Sequence, residues 1–438
     1  MTERNAHPCK EAAIRSFLPL LLLAMLLEPL AAAVRRTGVA ELPFTVNQVM
    51  EAFIHEALPA GGIDRTKSIW QKTGRGAAAG SDMFPGKVDP RYLRFLVECL
   101  YRLSGSDVRE AYRRTADRHV RYLAGCMRPD LPTWAWGNAL EMIGLYHRFH
   151  PRDPVLIAKG LQILGWARER RVTIQTRNGV SFSHFPCGYG LAGSYDAGWT
   201  NDLSMFGSGL VWMFELTGDR SILDDAVSFA EYFLQPWEKG ALGPNRFWHC
   251  GTWRDDLSSW VIGPAHFSGF ESTNLYADTS AWVFSTMTVI DFLTRLHHHR
   301  SDPRYLDRSL RAARWTFDQC QFSDGAVGMC GRDDKWLGFT GDAVSQVKMV
   351  ESMAGADRKI YRPLQEGAKR AFSYLGGRLT MDRIGDHGVV WVNRTTSTDP
   401  LANVAMLWAS AVLGWLNGND LFQEHRGKPE SPGEMRFR

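Results

Sequence analysis

The stretch Asn201-Asp-Leu-Ser-Met-Phe-Gly-Ser-Gly-Leu-Val-Trp-Met-Phe-Glu-Leu-Thr-Gly-Asp219 runs directly into Arg220-Ser-Ile-Leu-Asp-Asp-Ala-Val-Ser-Phe-Ala-Glu-Tyr-Phe-Leu234. The first part is apolar nearly all round, the signature of a helix buried on every side. Gly218 can close it in the left-handed conformation, and Asp219 can cap the next helix. The second part keeps its charges on one side, so it reads as an outer helix with one wet face. Together they spell a tight helical hairpin.

The same punctuation recurs along the chain. Gly105-Ser-Asp107, Pro151-Arg-Asp153, Thr217-Gly-Asp219, Ser301-Asp-Pro303, Gly355-Ala-Asp357 and Gly418-Asn-Asp420 each separate an apolar segment from an amphipathic one. The expected inner helices are Tyr92–Leu103, Trp134–Phe149, Asp202–Leu216, Asp278–Leu296, Asp342–Met353 and Leu401–Leu416. Outer helices are expected at Val108–Leu123, Ile222–Leu234, Tyr305–Phe317 and Tyr361–Tyr374. The segment after Asp420 makes a poor outer helix, and Val46–Leu58 can fill that place and close a ring. The expected fold is therefore all-α, an (α/α)6 toroid of helical hairpins with long loops and small β-hairpins on one rim. An open α-solenoid is the alternative. Closure is favoured because the inner segments show no charged stripe for an exposed concave face.

Composition sets the outer bounds. The hydrophobic fraction is 45% and the charged fraction 22%, which is ordinary for a globular chain. Lys and Arg number 51 against 47 Asp and Glu, too even a balance for a nucleic-acid-binding surface. Residues 1–33 read as an export signal: Arg4, Lys10 and Arg15 precede the apolar run Phe17–Leu27, and Ala31-Ala32-Ala33 offers a cleavage site. That run is too short to span a bilayer, so no stable membrane insertion is expected after cleavage. The expected location is secreted or periplasmic. Residues 34–425 are assigned to the toroid and 426–438 to a disordered tail.

The long connections Val172–Thr200, Gln235–Ala277, Gln321–Gly341 and Gly376–Asp399 all lead from an outer helix to an inner one. They must share one rim, and long loops in a compact domain are usually functional. Inner-helix N-termini point to the same rim and favour an anion there. The loops are rich in aromatic and polar residues, as in Tyr195-Asp-Ala-Gly-Trp199 and Phe247-Trp-His249-Cys250-Gly-Thr-Trp253-Arg254. Arg246–Trp253 and Gly388–Asn393 alternate as short strands do. Aromatic faces beside donors and acceptors suit a sugar ring. The candidate binding residues are Trp134, Trp136, Tyr195, Trp199, Asn201, His249, Trp253, Arg254, Asn274 and Tyr276, with Arg254 the candidate partner for a substrate carboxylate.

Glycan cleavage needs a protonatable carboxyl and usually a second carboxylate. Asp89, Asp202, Asp278, Asp342 and Asp399 all stand at expected inner-helix starts, where Asp is also a preferred cap. Asp89 and Asp399 precede Pro, and capping explains them. Asp202 follows Thr200 and Asn201, either of which can cap, so its carboxyl is left to project into the rim. Asp202 and Asp278 are the catalytic candidates.

The stretch from Asn201 to Asp219 resembles the helix of unsaturated glucuronyl hydrolases that starts His-Asp-Leu-Gly-Phe and ends in a Leu-Thr-Gly-Asp turn. Asp202 falls where that family has one of its two active-site aspartates, and the second would fall on Asp278. The resemblance implies a six-hairpin glycosidase-like toroid acting on unsaturated uronic acids, by protonation and hydration of an enol-ether double bond. Asn201 stands in place of the His, and Ser204-Met205 in place of Gly-Phe.

Cys187, Cys250 and Cys330 each precede a Gly in a different rim loop. A disulfide, a zinc site with His249 and unpaired thiols all remain open for them. Cys99, Cys126 and Cys320 read as small core residues, and His297-His298-His299 as a solvated turn. No metal or organic cofactor is called for. The leading reading is an exported glycoside hydrolase-like enzyme acting on uronate-containing oligosaccharides or polysaccharides by carboxylate acid/base catalysis. A polysaccharide lyase on the same toroid, with Tyr276, His266 and Asn274 available, and a non-catalytic glycan- or peptide-binding toroid are the alternatives.

Overall fold

An Asp at the first turn of a helix holds amide hydrogens that nothing inside the helix can reach. In the computed structural model Asp153 accepts from the Val155 and Leu156 amides at 3.0 and 3.3 Å. Asp219 accepts from Ser221 at 2.9 Å and Asp302 from Arg304 at 2.9 Å. Gly218 has φ +72° and its amide closes the preceding helix on the Phe214 carbonyl at 2.8 Å. These turns are built as their sequence implies. The structure describes residues 54, 57–62, 90–104, 110–175, 179–186, 197–234, 247, 250–253, 260–261, 282–328, 340–356, 362–384 and 387–392, all within one compact unit, Leu42–Arg438.

The described helices form five hairpins, inner helix first: α1 (Pro90–Leu103) with α2 (Glu110–Cys126), α3 (Thr133–Phe149) with α4 (Pro154–Arg170), α5 (Thr200–Thr217) with α6 (Arg220–Leu234), α7 (Val283–His299) with α8 (Pro303–Trp315), and α9 (Thr340–Ala356) with α10 (Arg362–Arg378). A π-helical turn, Thr316–Cys320, extends α8. The inner helices pack in the order α1, α3, α5, α7, α9. Gly137 of α3 lets α5 approach so closely that a Cβ there would stand 2.7 Å from the Phe206 backbone. The fold is the (α/α)6 toroid. Leu401–Leu416 and most of Val46–Leu58, expected to complete the sixth hairpin, lie outside the described residues, as do the segments assigned to the export signal and the tail.

Two turns repeat one another in detail. After Leu58, its amide bonds the Gly62 carbonyl at 2.9 Å and the Gly61 amide bonds the Leu58 carbonyl at 2.9 Å. After α8, Phe322 bonds Ala326 at 2.8 Å and Gly325 bonds Phe322 at 3.0 Å in the same pattern. Gly61 seats on the Arg118 carbonyl of α2, and Gly325 on the Arg370 carbonyl of α10. The first turn thus stands on α2 as the turn after an outer helix stands on the next outer helix.

Both glycines have φ near +90° and no room for a side chain: a Cβ would lie 2.2 Å from Arg118 O at Gly61 and 2.1 Å from Arg370 O at Gly325. Gly325→Ala combines a left-handed-region cost of about 1–2 kcal/mol with overpacking of similar size. It is expected to lower unfolding free energy by about 2–4 kcal/mol in urea titration. Gly179→Ala, at φ +83° with nothing nearby, is expected to lose only the backbone part. Equal losses in the two variants would show that the seat on α10 contributes nothing.

One expectation needs correcting. The inner helices are not free of charge. Arg94, Glu98 and Arg102 of α1, Glu141 of α3, Glu215 of α5, Asp291 and Arg295 of α7, and Lys348 and Glu351 of α9 meet one another in ion pairs. Each helix carries one polar line on an otherwise apolar surface, and the ring lets these lines neutralise each other. Pairs such as Lys348 with Glu98 at 3.0 Å and Arg102 with Glu351 tie α9 to α1.

The connections carry strands, as expected for one rim. β1 (Val172–Gln175) and β2 (Ser181–His184) form an antiparallel hairpin. β3 (Ala197–Trp199), β4 (Cys250–Trp253) and β5 (Trp260–Val261) form a three-stranded sheet. It joins two different connections, so it is more than the simple hairpin expected. β6 (Leu379–Ile384) and β7 (His387–Val392) form the last hairpin.

Candidate functional site

The start of α5 is fixed from two sides. Phe182 and Phe185 are buried beside Phe206, Phe229 and Tyr232, and the Ser183 amide donates to Ser228 Oγ at 2.7 Å. The Thr133 hydroxyl then bonds the Pro186 carbonyl, tying the connection to the start of α3. Further on, β3 runs without a gap into α5 while pairing with β4: Ala197 opposite Thr252, Gly198 opposite Gly251, Trp199 opposite Cys250.

Asp202 sits in the first turn of α5 with 0% of its surface exposed. The Asn201 side-chain amide donates to Asp202 Oδ1 at 2.7 Å. Ser285 of α7 donates to Asn201 Oδ1 at 3.4 Å. One turn deeper, Ser204 Oγ lies 3.1 Å from the Asn201 carbonyl and 2.8 Å from Thr288 Oγ1. Short uncharged side chains thus clasp α5 to α7 directly below the carboxyl.

Deeper along the axis, Ser208 is roughly 9 Å below Asp202 at the helical rise. There Arg94, Phe95, Glu141, Met205, Ser208, Met287, Thr288 and Asp291 enclose a cavity of about 10 Å³, the space of one water. Arg94 bonds Glu141 through Nε, reaches Glu98 at 3.2 Å and lies 3.7 Å from Asp291. Three carboxyls share one guanidinium. Burial, with repulsion from Asp291, lifts Glu141 to about 7 despite the opposing pull of Arg94. Burial would also raise Glu98 and Asp291, but Lys348 and the neighbouring arginines hold both below the usual carboxylate range. Near the floor, Arg295 and His299 overcome burial and bring Glu215 down to about 2. These residues escaped the sequence reading because they are a few charges scattered along apolar helices. The signal is only that all five inner helices carry at least one.

Glu141 couples this cluster to pH. Its folded value of about 7 lies above the ordinary 4.5, so the folded state binds the extra proton between those values. The stability it contributes is complete below about 4.5 and is lost as pH rises through about 7. Relative to the parent, Glu141→Gln is therefore expected to remove a decline on the order of 2 kcal/mol between pH 5 and 8. Urea titrations of both chains across that range measure it, and parallel curves would refute it.

The structure buries two of the expected stacking residues. Trp134 and Trp136 are each 0% exposed. Arg170 covers the Trp136 ring at 4.5 Å, and the indole N–H donates to the Arg128 carbonyl at 3.0 Å. Packing occupies the Trp136 face and edge. Asn201 and Asp202 are brought together. Trp199 and Trp253 come into one sheet, with Trp253 opposite Trp260, a residue the sequence reading did not single out. Tyr195, His249, Arg254, Asn274, Tyr276 and Asp278 lie outside the described residues, with Cys187 and Cys330. Helix α7 begins at Val283 with Trp282 as its cap, which makes no side-chain cap bond, rather than at Asp278.

His297, His298 and His299 form the last turn of α7 instead of a free turn, and His299 meets Glu215 at 2.9 Å. Cys99, Cys126 and Cys320 form no disulfide among the described residues, and Cys99 and Cys320 are buried. Among the described residues no group of three His, Cys, Asp or Glu side chains is placed to hold a metal, and no helix is long and apolar enough to cross a membrane.

The architecture is shared with solved sugar enzymes. An α-1,6-mannanase of glycoside hydrolase family 76 from Salegentibacter sp. HEL1_6 superposes with TM-score 0.58 at 9% identity, over 85% of this chain and 98% of its own. The unsaturated glucuronyl hydrolase of Bacillus sp. GL1 gives 0.54 at 15% identity, over 75% and 85%. An unsaturated glucuronyl hydrolase specific for heparin gives 0.55 at 13% identity, over 86% and 97%. No family model and no curated protein sequence matches the chain. The chain shares the (α/α)6 toroid fold of these enzymes.

Proposed function

We propose that this chain is an exported carbohydrate-active enzyme, glycoside hydrolase-like, that acts on uronate-containing oligosaccharides through acid/base catalysis by Asp202 and Asp278. The observation that carries the reading is Asp202: a fully buried carboxyl in the first turn of the third inner helix, held by a neighbouring amide. It stands inside the helix, after Thr200 and Asn201, rather than at the position that precedes the helix. Inner-helix N-termini at this rim favour a substrate carboxylate. The fold it shares with a mannanase and with unsaturated glucuronyl hydrolases supports a glycan substrate. Export to the periplasm or beyond is inferred from the signal read at residues 1–33.

Ultraviolet absorbance of unsaturated uronyl disaccharides mixed with the purified chain tests this. The expected result is a fall in absorbance as the double bond is hydrated. A rise with an intact uronate polysaccharide would instead make the chain a lyase. Turnover of neutral manno-oligosaccharides alone would overturn the substrate class. Binding without turnover of any glycan would make it a binding toroid.

A further inference from the structure

The contacts around Asp202 assign its half of the reaction. We infer that Asn201 is a positioning residue: braced by Ser285, it fixes Asp202 as the ionised partner, so Asp202 receives the proton of the attacking water while a second acid supplies the proton to the substrate. This rests on the reading of Asp202 as the reacting carboxyl. Asn201 has two hydrogen-bonding ends and the structure uses both, its amide on Asp202 Oδ1 at 2.7 Å and its carbonyl under Ser285 Oγ at 3.4 Å. In this orientation the amide donor points at the carboxyl and the amide oxygen faces the serine hydroxyl. A donor favours the charged form of a carboxyl, and so does the N-terminal turn of a helix. Burial opposes them.

The brace itself does not titrate. At this level α5 offers Asn201 and Ser204, α7 offers Ser285 and Thr288, and α3 offers Asn138, all uncharged and buried. The charged groups below are Arg94, Glu141 and Asp291 around the axial cavity. With an asparagine as the neighbour, the donor is present at every pH. In the hydration step, the second acid's proton goes to one carbon of the double bond. The water oxygen bonds to the other carbon, and the water's proton ends on Asp202. Proton return through solvent restores both groups.

The test labels aspartate carboxyl carbons with ¹³C and tracks their titration by NMR in the full chain, with the Asp202 signal assigned by its absence in Asp202→Asn. The Asp202 carboxyl is expected to titrate below neutrality, and in Asn201→Ala its acidity constant is expected to fall about tenfold. Ser285→Ala, which removes only the brace, is expected to shift it the same way by less, and it serves alone if Asn201→Ala does not fold. The acidic limb of kcat/KM should move by the same amount with KM nearly constant. An Asp202 signal that titrates identically in all three chains, or that stays protonated above neutrality in the parent, overturns the inference. If the carboxyl titrates as expected while no glycan is turned over, the assignment of Asn201 as the residue that keeps Asp202 ionised stands, and the proposed enzymatic function fails.

Discussion

Asp202→Asn is expected to reduce glycan turnover by about a hundredfold to ten-thousandfold, the range supplied by a positioned acid/base group, while leaving the fold intact. Asparagine has nearly the shape of aspartate, so the buried position at the head of α5 is still filled. Its side-chain oxygen can still accept from Asn201, whose amide lies 2.7 Å from Asp202 Oδ1 in the parent. What is lost is the capacity to take and release a proton. Steady-state kinetics on the substrate identified by the absorbance assay measure the effect, and thermal unfolding shows whether the fold survives. A chain with parental turnover after this change would remove Asp202 from the chemistry. If turnover falls while glycan binding by calorimetry is unchanged, the residue acts in the chemical step and not in recognition.

What could be read from the sequence divides along the range of the forces involved. The hairpin turns were legible because Gly218, Asp219, Asp153 and Asp302 act on backbone groups two to four residues away. At the head of α5 the local reading offered Thr200 and Asn201 as caps, and the Asn201 side chain is turned to Asp202 and Ser285 instead. The start of α7 was not legible: Trp282 makes no side-chain cap bond, so nothing local marks the boundary. Trp136 at the head of an inner helix reads as a cleft aromatic, and only Arg170 and the Arg128 carbonyl, brought in by the neighbouring chain segments, show it to be core. The axial charges were least legible of all. Their partners come from helices as distant in sequence as Glu98 and Lys348, and a few charges in an apolar helix have no meaning until the helices that answer them are packed alongside.

Those axial charges give the largest expected effect on stability. Arg94→Leu is expected to lower unfolding free energy by about 3–5 kcal/mol, the cost of stranding buried charge. Arg94 is 6% exposed and touches Glu98, Glu141 and Asp291. Glu98 keeps Lys348 at 3.0 Å and Arg102 at 2.8 Å after the change, and Asp291 keeps Ser352 at 2.7 Å. Glu141 loses the guanidinium that bonds it, in a site where burial already lifts it to about 7. It is therefore expected to hold its proton to still higher pH in the variant, and the loss of stability should be greatest at alkaline pH and smaller near pH 5. Glu141→Gln in the Arg94→Leu background should recover part of the deficit, because the stranded group can no longer charge. A double-mutant cycle in urea at two pH values isolates this coupling. Additive losses, or a deficit that grows as pH falls, would mean that Arg94 stabilises the ring through its packing on Phe95, 4.6 Å from the ring centroid, and not through the carboxyls it gathers.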